Sequence, residues 1–312
     1  MTRKAVLFDI DGVLIDVRQS YIDSIRKTVD LYLQKILLVP FYREPLLSRD
    51  DVNHFKLLGG FNNDWDTVYG ILLHLQARVE QGPRKWEILT VKKLRALFNL
   101  KNLARRVPQP CGIQPVKKLV KDQGLISYAL AKDMFQEIYL GEKLFKKNEG
   151  RPPLFSRDKG LIHLEKLLFP KPLLAKLKSM KCLLGIVTGR TRFEADYVLK
   201  RFGIRNFFKA IITHDDVAKA EEKQGLRLRK PHPFPVLACA RILGSKGSFL
   251  YAGDLPDDIR AANASKKDIR ILSCGVLYGQ DEPQKMENEF KKVGADFVIT
   301  KPADLLRAVR SE

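Results

Sequence analysis

The sequence predicts an α/β protein: a doubly wound parallel sheet with a Rossmann-type core, interrupted by an all-helical insertion. Three observations predict it. Short runs are apolar throughout instead of alternating, as strands buried on both faces of a parallel sheet require. Helix-like stretches lie between most of these runs. Residues from about 17 to about 167 break that alternation and carry apolar side chains at helical spacing instead.

The first run, Ala5-Val6-Leu7-Phe8, ends at Asp9-Ile10-Asp11-Gly12. Helical spacing then predicts helices over residues 21–38, 64–79, 91–103, 116–120 and 129–140. Breakers separate them at Gly59-Gly60, Gly82-Pro83, 108–110 (ending in Pro110) and 150–153. Strand-like runs resume at 182–187, 210–213, 248–252, 269–277 and 297–300. Helices are expected between them at 192–202, 234–243, 256–264 and 285–293. The expected division is a core of residues 1–16 and 168–312, with a helical domain of residues 17–167 inserted between the first and second strands of the sheet.

A length of 312 residues allows two domains, and an apolar share of 45% supports a packed core. Lys and Arg number 56 against 36 Asp and Glu, a formal net charge of +20. Basic surfaces attract nucleic acid, acidic membranes or phosphorylated small molecules. The distribution weakens the first two: residues 17–167 hold 27 basic and 16 acidic side chains and the remainder 29 and 20, with no basic arm or tail. No nucleic-acid module is recognisable. Steep salt dependence of binding to nucleic acid would favour that alternative.

Cys111, Cys182, Cys239 and Cys274 lack the paired spacing of zinc or redox sites. The chain reaches a charged Asp by residue nine, too soon for the apolar stretch of a signal peptide. No segment approaches the ~20 apolar residues of a membrane span. A soluble, reducing, cytoplasmic setting is expected.

In an open parallel sheet ligands bind beyond the carboxyl ends of the strands, so the residues directly after each run matter most. Asp9 and Asp11 come after the first, and Gly12 permits a sharp departure of the backbone. Thr188-Gly189-Arg190 comes after the second, Arg229-Lys230-Pro231 lies beyond the third, and Gly253-Asp254-Leu255-Pro256-Asp257-Asp258 ends the fourth. Phosphoryl transfer through a covalent aspartyl-phosphate needs such a set. A carboxylate can attack an anionic phosphate only where a metal ion, a Lys and backbone N–H groups neutralise charge. Mg²⁺ takes oxygen ligands and suits acids on adjacent strand ends. A second acid must protonate the leaving group and later activate water.

With these four motifs in order, the sequence resembles the haloacid-dehalogenase superfamily of phosphatases, over residues 1–16 and about 170–300. The resemblance implies Asp9 as nucleophile and Asp11 as general acid/base, with Thr188 and Lys230 binding the transferring phosphate. Gly189 and Arg190 extend that substrate-binding loop. It further implies Asp254 as a Mg²⁺ ligand, joined by the Asp9 carboxylate and the Asp11 carbonyl, while Asp258 orients water or Lys230. Asp11 is absent from true dehalogenases and phosphonate-cleaving members, and the Lys-Thr-Gly-Thr of P-type ATPases does not occur here. A helical insertion directly after the first motif is similar to the C1-type cap of subfamily IA, whose closure would exclude water. Residues 56–65 and 135–141 resemble a less-characterised archaeal and cyanobacterial group of that subfamily. Ala262-Asn263-Ala264-Ser265 lacks the Gly often found there.

Plainer roles compete at several positions. Thr188 is also a good helix N-cap residue, and Lys230 an ordinary surface Lys before a turn. Arg190 either touches substrate or pairs with a core acid. Asp257 competes with Asp258, which the four-residue spacing from Asp254 favours, and Asp16 is either a hinge acid or a solvated turn. Residues 59–65 form either a substrate loop or a helix start, with Asn63 or Asp64 as the cap and Trp65 in the core.

The expected function is a Mg²⁺-dependent phosphatase for a small phosphorylated metabolite such as phosphoglycolate, a sugar phosphate, phosphoserine or histidinol phosphate. A phosphosugar mutase of the same superfamily is the alternative enzyme, and a nucleic-acid-binding or end-processing protein is the alternative from another class.

Overall fold

A computed structural model describes residues 4–61, 63–81, 86–109, 111–122, 124–244 and 246–310. Asn62, Gly82, Pro83 and Pro110 lie outside the described residues. In chain order the elements are β1 (Lys4–Phe8), β2 (Ile15–Asp16), α1 (Tyr21–Lys35), α2 (Arg49–Lys56), α3 (Asp64–Val79), α4 (Val91–Leu97), α5 (Leu100–Arg106) and α6 (Ile113–Lys117). Then come α7 (Tyr128–Glu149), β3 (Lys166–Leu167), α8 (Lys171–Ser179), β4 (Leu183–Val187), α9 (Arg192–Arg201), β5 (Ala210–Ile212) and α10 (His214–Gln224). The chain finishes with α11 (Phe234–Leu243), β6 (Ser248–Gly253), α12 (Pro256–Ser265), β7 (Arg270–Val276), α13 (Pro283–Lys292), β8 (Phe297–Ile299) and α14 (Asp304–Arg310).

Two compact units divide the chain: Met1–Asp16 with Lys166–Glu312, and Val17–Glu165. The first holds a six-stranded sheet in the order β5-β4-β1-β6-β7-β8, every neighbouring pair parallel. Leu7 and Phe8 of β1 are buried, as is all of β6, which explains their uninterrupted apolar character. β1 lies between β4 and β6, so the order reverses beside it, and the crevice at that switch point is where such sheets bind ligands. Leu7, Val187, Ile212, Phe249 and Tyr251 meet Val236, Cys239 and Leu243 of α11 in one buried cluster on the sheet. A small antiparallel pair, β2 with β3, aligns Asp16 with Lys166.

The expected helix at 91–103 is interrupted. Phe98 leaves helical backbone at φ −76°, ψ 83°, and α4 and α5 result. The helix expected at 129–140 continues as α7 to Glu149, through a break at Gly141 with φ 73°. Helices α2, α8, α10 and α14 had no counterpart in the expected elements. In α2 only Val52 and Phe55 are buried, and in α10 only Val217, so neither offers a long apolar period.

The second unit is centred on aromatic side chains of α1, α3 and α7. Tyr21 stacks on Tyr139 with centroids 4.5 Å apart, and Phe135 packs edge-on to Trp65 at 6.2 Å. The buried Glu137 carboxylate accepts N–H bonds from Leu154 (2.7 Å), Phe155 (2.6 Å) and Ser156 (3.0 Å), fastening that loop to α7. Among the described residues, no helix is long and apolar enough to cross a membrane.

Candidate active site

Asp9 leaves β1 with its N–H still in the ladder, donating to the Ala252 carbonyl at 2.9 Å. Its side chain is buried: Oδ1 accepts the Ile10 N–H at 2.7 Å, and Oδ2 lies 3.2 Å from Lys230 Nζ. The chain then turns at once, since Leu14 and Ile15 both donate to the Ile10 carbonyl. Gly12 makes the turn with φ +68°, in the left-handed region that suits glycine. The same glycine lies against the Asp254 carboxyl, leaving no room for a Cβ.

Lys230 precedes a cis proline, Pro231. Its ammonium contacts Asp258 Oδ1 at 2.7 Å, Asp9 Oδ2 at 3.2 Å and the Tyr251 hydroxyl at 3.3 Å. Burial would lower this ammonium, but Asp258 and Asp9 hold it well above its usual range, so it stays charged. Asp258, at the first turn of α12, accepts the Leu255 N–H at 3.0 Å on its other oxygen. Asp257 instead pairs with Arg260 at 2.9 Å, so of the two neighbouring acids it is Asp258 that meets the lysine.

Single oxygens of Asp9, Asp254 and Asp258 all lie within 4.8 Å of one another. Burial raises the Asp9 carboxyl to about 7, with Asp258 and Asp11 adding to the rise and Lys230 opposing it. Burial raises Asp254 well above the carboxylate range as well, and Asp258, Asp9 and Asp11 add to it. A surplus of buried negative charge with oxygen donors is what a hard divalent cation matches. The three carboxylates could together hold such a cation, and Asp258 is the one most engaged already, by Lys230, Tyr251 and the Leu255 N–H.

Thr188 follows β4 and is buried, its Oγ1 accepting the Arg190 N–H at 3.2 Å, which leaves the hydroxyl proton to donate. The N-cap of α9 is Thr191, which forms a capping box with Glu194, so the helix-start role belongs three residues after Thr188. Gly189 is half-buried between them. Arg190 is buried, its side chain 0% exposed, and its guanidinium contacts Asp11, the second acid of the first motif, whose side chain is 28% exposed. In the second unit Asn63 caps α3 by accepting the Asp66 N–H, and Trp65 is buried, so residues 63–65 form a helix start. Asp16 is half-buried in β2. Helix α12 runs through Ala262-Asn263-Ala264, and the Asn263 amide donates to the carbonyls of Val293 and Gly294 at 3.0 Å.

Sequence reasoning missed four contributors. Tyr251 donates to Asp258 Oδ1 at 2.8 Å from the interior of β6, a position that read only as strand core. Gln280 donates from its amide to the Asp254 carbonyl at 2.8 Å and to Asp254 Oδ2 at 3.2 Å, while Tyr278 donates to the Val13 carbonyl at 2.9 Å. Glu221 of α10 accepts the Leu228 and Arg229 N–H groups and the Arg229 guanidinium, which fixes the approach to Lys230. Although burial opposes it, these bonds pull the Glu221 carboxyl down to about 2. The loop after β7 was the available signal, since it too ends a strand at the ligand-binding edge.

Comparison with known proteins places this geometry in a family. The model of the haloacid dehalogenase-like hydrolases matches residues 3–266. The chain is similar, at 24% identity over 95% of its length, to an imidazoleglycerol-phosphate dehydratase of Phytophthora nicotianae, of which it covers 50%. It is 27% identical over 49% of its length to a phosphoglycolate phosphatase of Xanthomonas campestris, covering 64% of that protein. It thus spans between half and just under two thirds of these curated relatives. An X-ray structure of a structural-genomics target shares the fold with a TM-score of 0.66 at 23% identity, covering 100% of this chain and 98% of that one. A crystal structure described as a predicted phosphoglycolate phosphatase from Haemophilus somnus has a TM-score of 0.54 at 18% identity, covering 99% and 98%. The chain belongs to the haloacid dehalogenase-like hydrolases.

Proposed function

We propose that this protein is a Mg²⁺-dependent phosphatase acting on a small phosphate monoester through an aspartyl-phosphate on Asp9. The observation that carries the reading is the placing of Asp9: one oxygen is held by the Ile10 N–H, the other lies beside Lys230 Nζ, and Asp254 and Asp258 stand close by. Family membership and relatives named phosphoglycolate phosphatase support it.

In the proposed reaction the Asp9 carboxylate attacks phosphorus in line while Asp11 gives a proton to the departing ester oxygen. Asp11 then takes a proton from the water that attacks the acyl phosphate, releasing inorganic phosphate and restoring Asp9. Lys230 and the Thr188 hydroxyl hold phosphate oxygens, and Asp258 with Tyr251 keeps Lys230 in place. Asp9, Asp254 and the Asp11 carbonyl would hold Mg²⁺, which when bound neutralises phosphate charge. We read Val17–Glu165 as the cap that selects the leaving group. Four free, buried cysteines suit a reducing cytoplasm.

The test is phosphate release from a panel of phosphoglycolate, histidinol phosphate, phosphoserine and a hexose phosphate, with and without Mg²⁺. The first is chosen for the phosphatase relatives, and the second for the relative named for an imidazole-bearing phosphate ester. Mg²⁺-dependent release from one ester supports the reading. Silence across the panel overturns it, and isomerisation of the hexose phosphate without free phosphate would assign a mutase.

A further inference from the structure

Arg190 carries its charge into the interior, which costs several kcal/mol unless the charge is paired. Its backbone is fixed at both ends: its N–H donates to Thr188 Oγ1 at 3.2 Å and its carbonyl accepts the His214 N–H at 2.8 Å. From that anchored position Nε and Nη2 both approach one oxygen, Asp11 Oδ1, at 2.7 and 2.6 Å. The Asp11 side chain remains 28% exposed. A guanidinium fork normally spreads over two carboxylate oxygens. Here both nitrogens meet at Oδ1, and Oδ2 lies outside this pairing.

We infer that Arg190 is a positioning residue for the acid/base step, pinning Asp11 by Oδ1 so that Oδ2 alone carries the proton in both half-reactions. The inference rests on the phosphatase reading above. Oδ2–H transfers its proton to the ester oxygen as the P–O bond breaks. The Oδ2 carboxylate then accepts a proton from water as the water oxygen bonds to phosphorus and the Asp9 acyl-phosphate bond breaks. One group serves two partners in succession, so it must occupy the same place twice, and an anchored cation with no exposure of its own achieves that without contacting substrate. Arg190 therefore acts on rate through Asp11, not on binding through the phosphate.

A double-mutant cycle in phosphate release tests this, using wild type, Arg190→Met, Asp11→Asn and the pair on the ester the wild type cleaves fastest. Arg190→Met is expected to lower kcat by roughly 10²-fold, the scale of a misplaced catalytic group, with KM almost unchanged. In the Asp11→Asn background the same substitution is expected to lower kcat no further. An equal loss in both backgrounds, or a rise in KM with kcat intact, would overturn the inference. Arg190→Lys in both backgrounds gives the same reading if circular dichroism shows the Met variant unfolded. A wild type that cleaves no ester overturns the phosphatase reading itself, an outcome distinct from additive losses in an active enzyme.

Discussion

Lys230 Nζ lies closer to Asp258 Oδ1, at 2.7 Å, than to Asp9 Oδ2, at 3.2 Å. The lysine is thus held chiefly by Asp258, which is not the nucleophile in the proposed reaction, and Asp258 Oδ2 is itself fixed by the Leu255 N–H at the start of α12. Lys230→Met should lower kcat by about 10²–10³-fold, the usual loss for one preorganised donor to developing charge. Asp258→Asn should lower it less, since the lysine retains Asp9 and Tyr251. Steady-state kinetics on the two variants, with folding checked by circular dichroism, gives the comparison.

Gly12 needs a left-handed backbone and leaves no space between itself and Asp254. Gly12→Ala should cost about 1–2 kcal/mol from backbone strain alone, and more from displacement of Asp254. Denaturant unfolding reads the first effect, and a Mg²⁺ titration by calorimetry the second.

Metal dependence can be read without turnover. A ligand that binds only the folded state raises Tm, so Mg²⁺ should raise the Tm of the chelator-treated protein and restore phosphate release. Asp254→Asn should fold while losing most of that Tm shift. An Asp254→Asn variant that keeps the full shift would place the cation elsewhere.

His74 is buried in α3 against Phe98, with Nε2 lacking a hydrogen-bond partner. Burial, helped by Arg78 and Arg106, lowers its imidazole to about 4 from 6.5. The unfolded chain therefore binds the extra proton first, and stability present above pH 6.5 is lost as pH falls toward 4, by about 3 kcal/mol. The raised Asp9 and Asp254 carboxyls act in the opposite sense, so the difference between wild type and His74→Phe isolates the histidine. Urea unfolding of both proteins at pH 7 and pH 5 should show the wild type losing more stability than the variant.

Glu137→Ala removes an acceptor shared by three backbone N–H groups. A loss of about 3 kcal/mol in unfolding free energy is expected, since bonds to a charged group are worth ~1.5–3 kcal/mol each and solvent recovers part of them.

The sheet was legible because its strands are buried on both faces and therefore apolar without interruption. Each of the six expected runs overlaps a strand of the sheet, from Lys4–Phe8 to Phe297–Ile299. The candidate site was legible where acids and a lysine come directly after those runs: Asp9, Lys230, Asp254 and Asp258 are gathered at one place. What sequence could not show was side-chain direction from inside an element. Tyr251 lies within an apolar strand, where neither composition nor spacing marks it as a partner of Asp258, while Gln280 lies in the loop after β7, whose place at the strand end is legible but whose contact with Asp254 is not. Arg190 was ambiguous for the same reason, since burial of a guanidinium comes from tertiary packing and not from its neighbours in the chain.

The most direct measurement is the site of the phosphoryl group. Wild-type protein, mixed with Mg²⁺ and the ester it hydrolyses fastest and quenched in acid, should carry one phosphoryl group on Asp9 by peptide mass spectrometry, and Asp9→Asn should carry none and release no phosphate. A phosphoryl group on another residue, or wild-type turnover by Asp9→Asn, would contradict the aspartyl-phosphate mechanism.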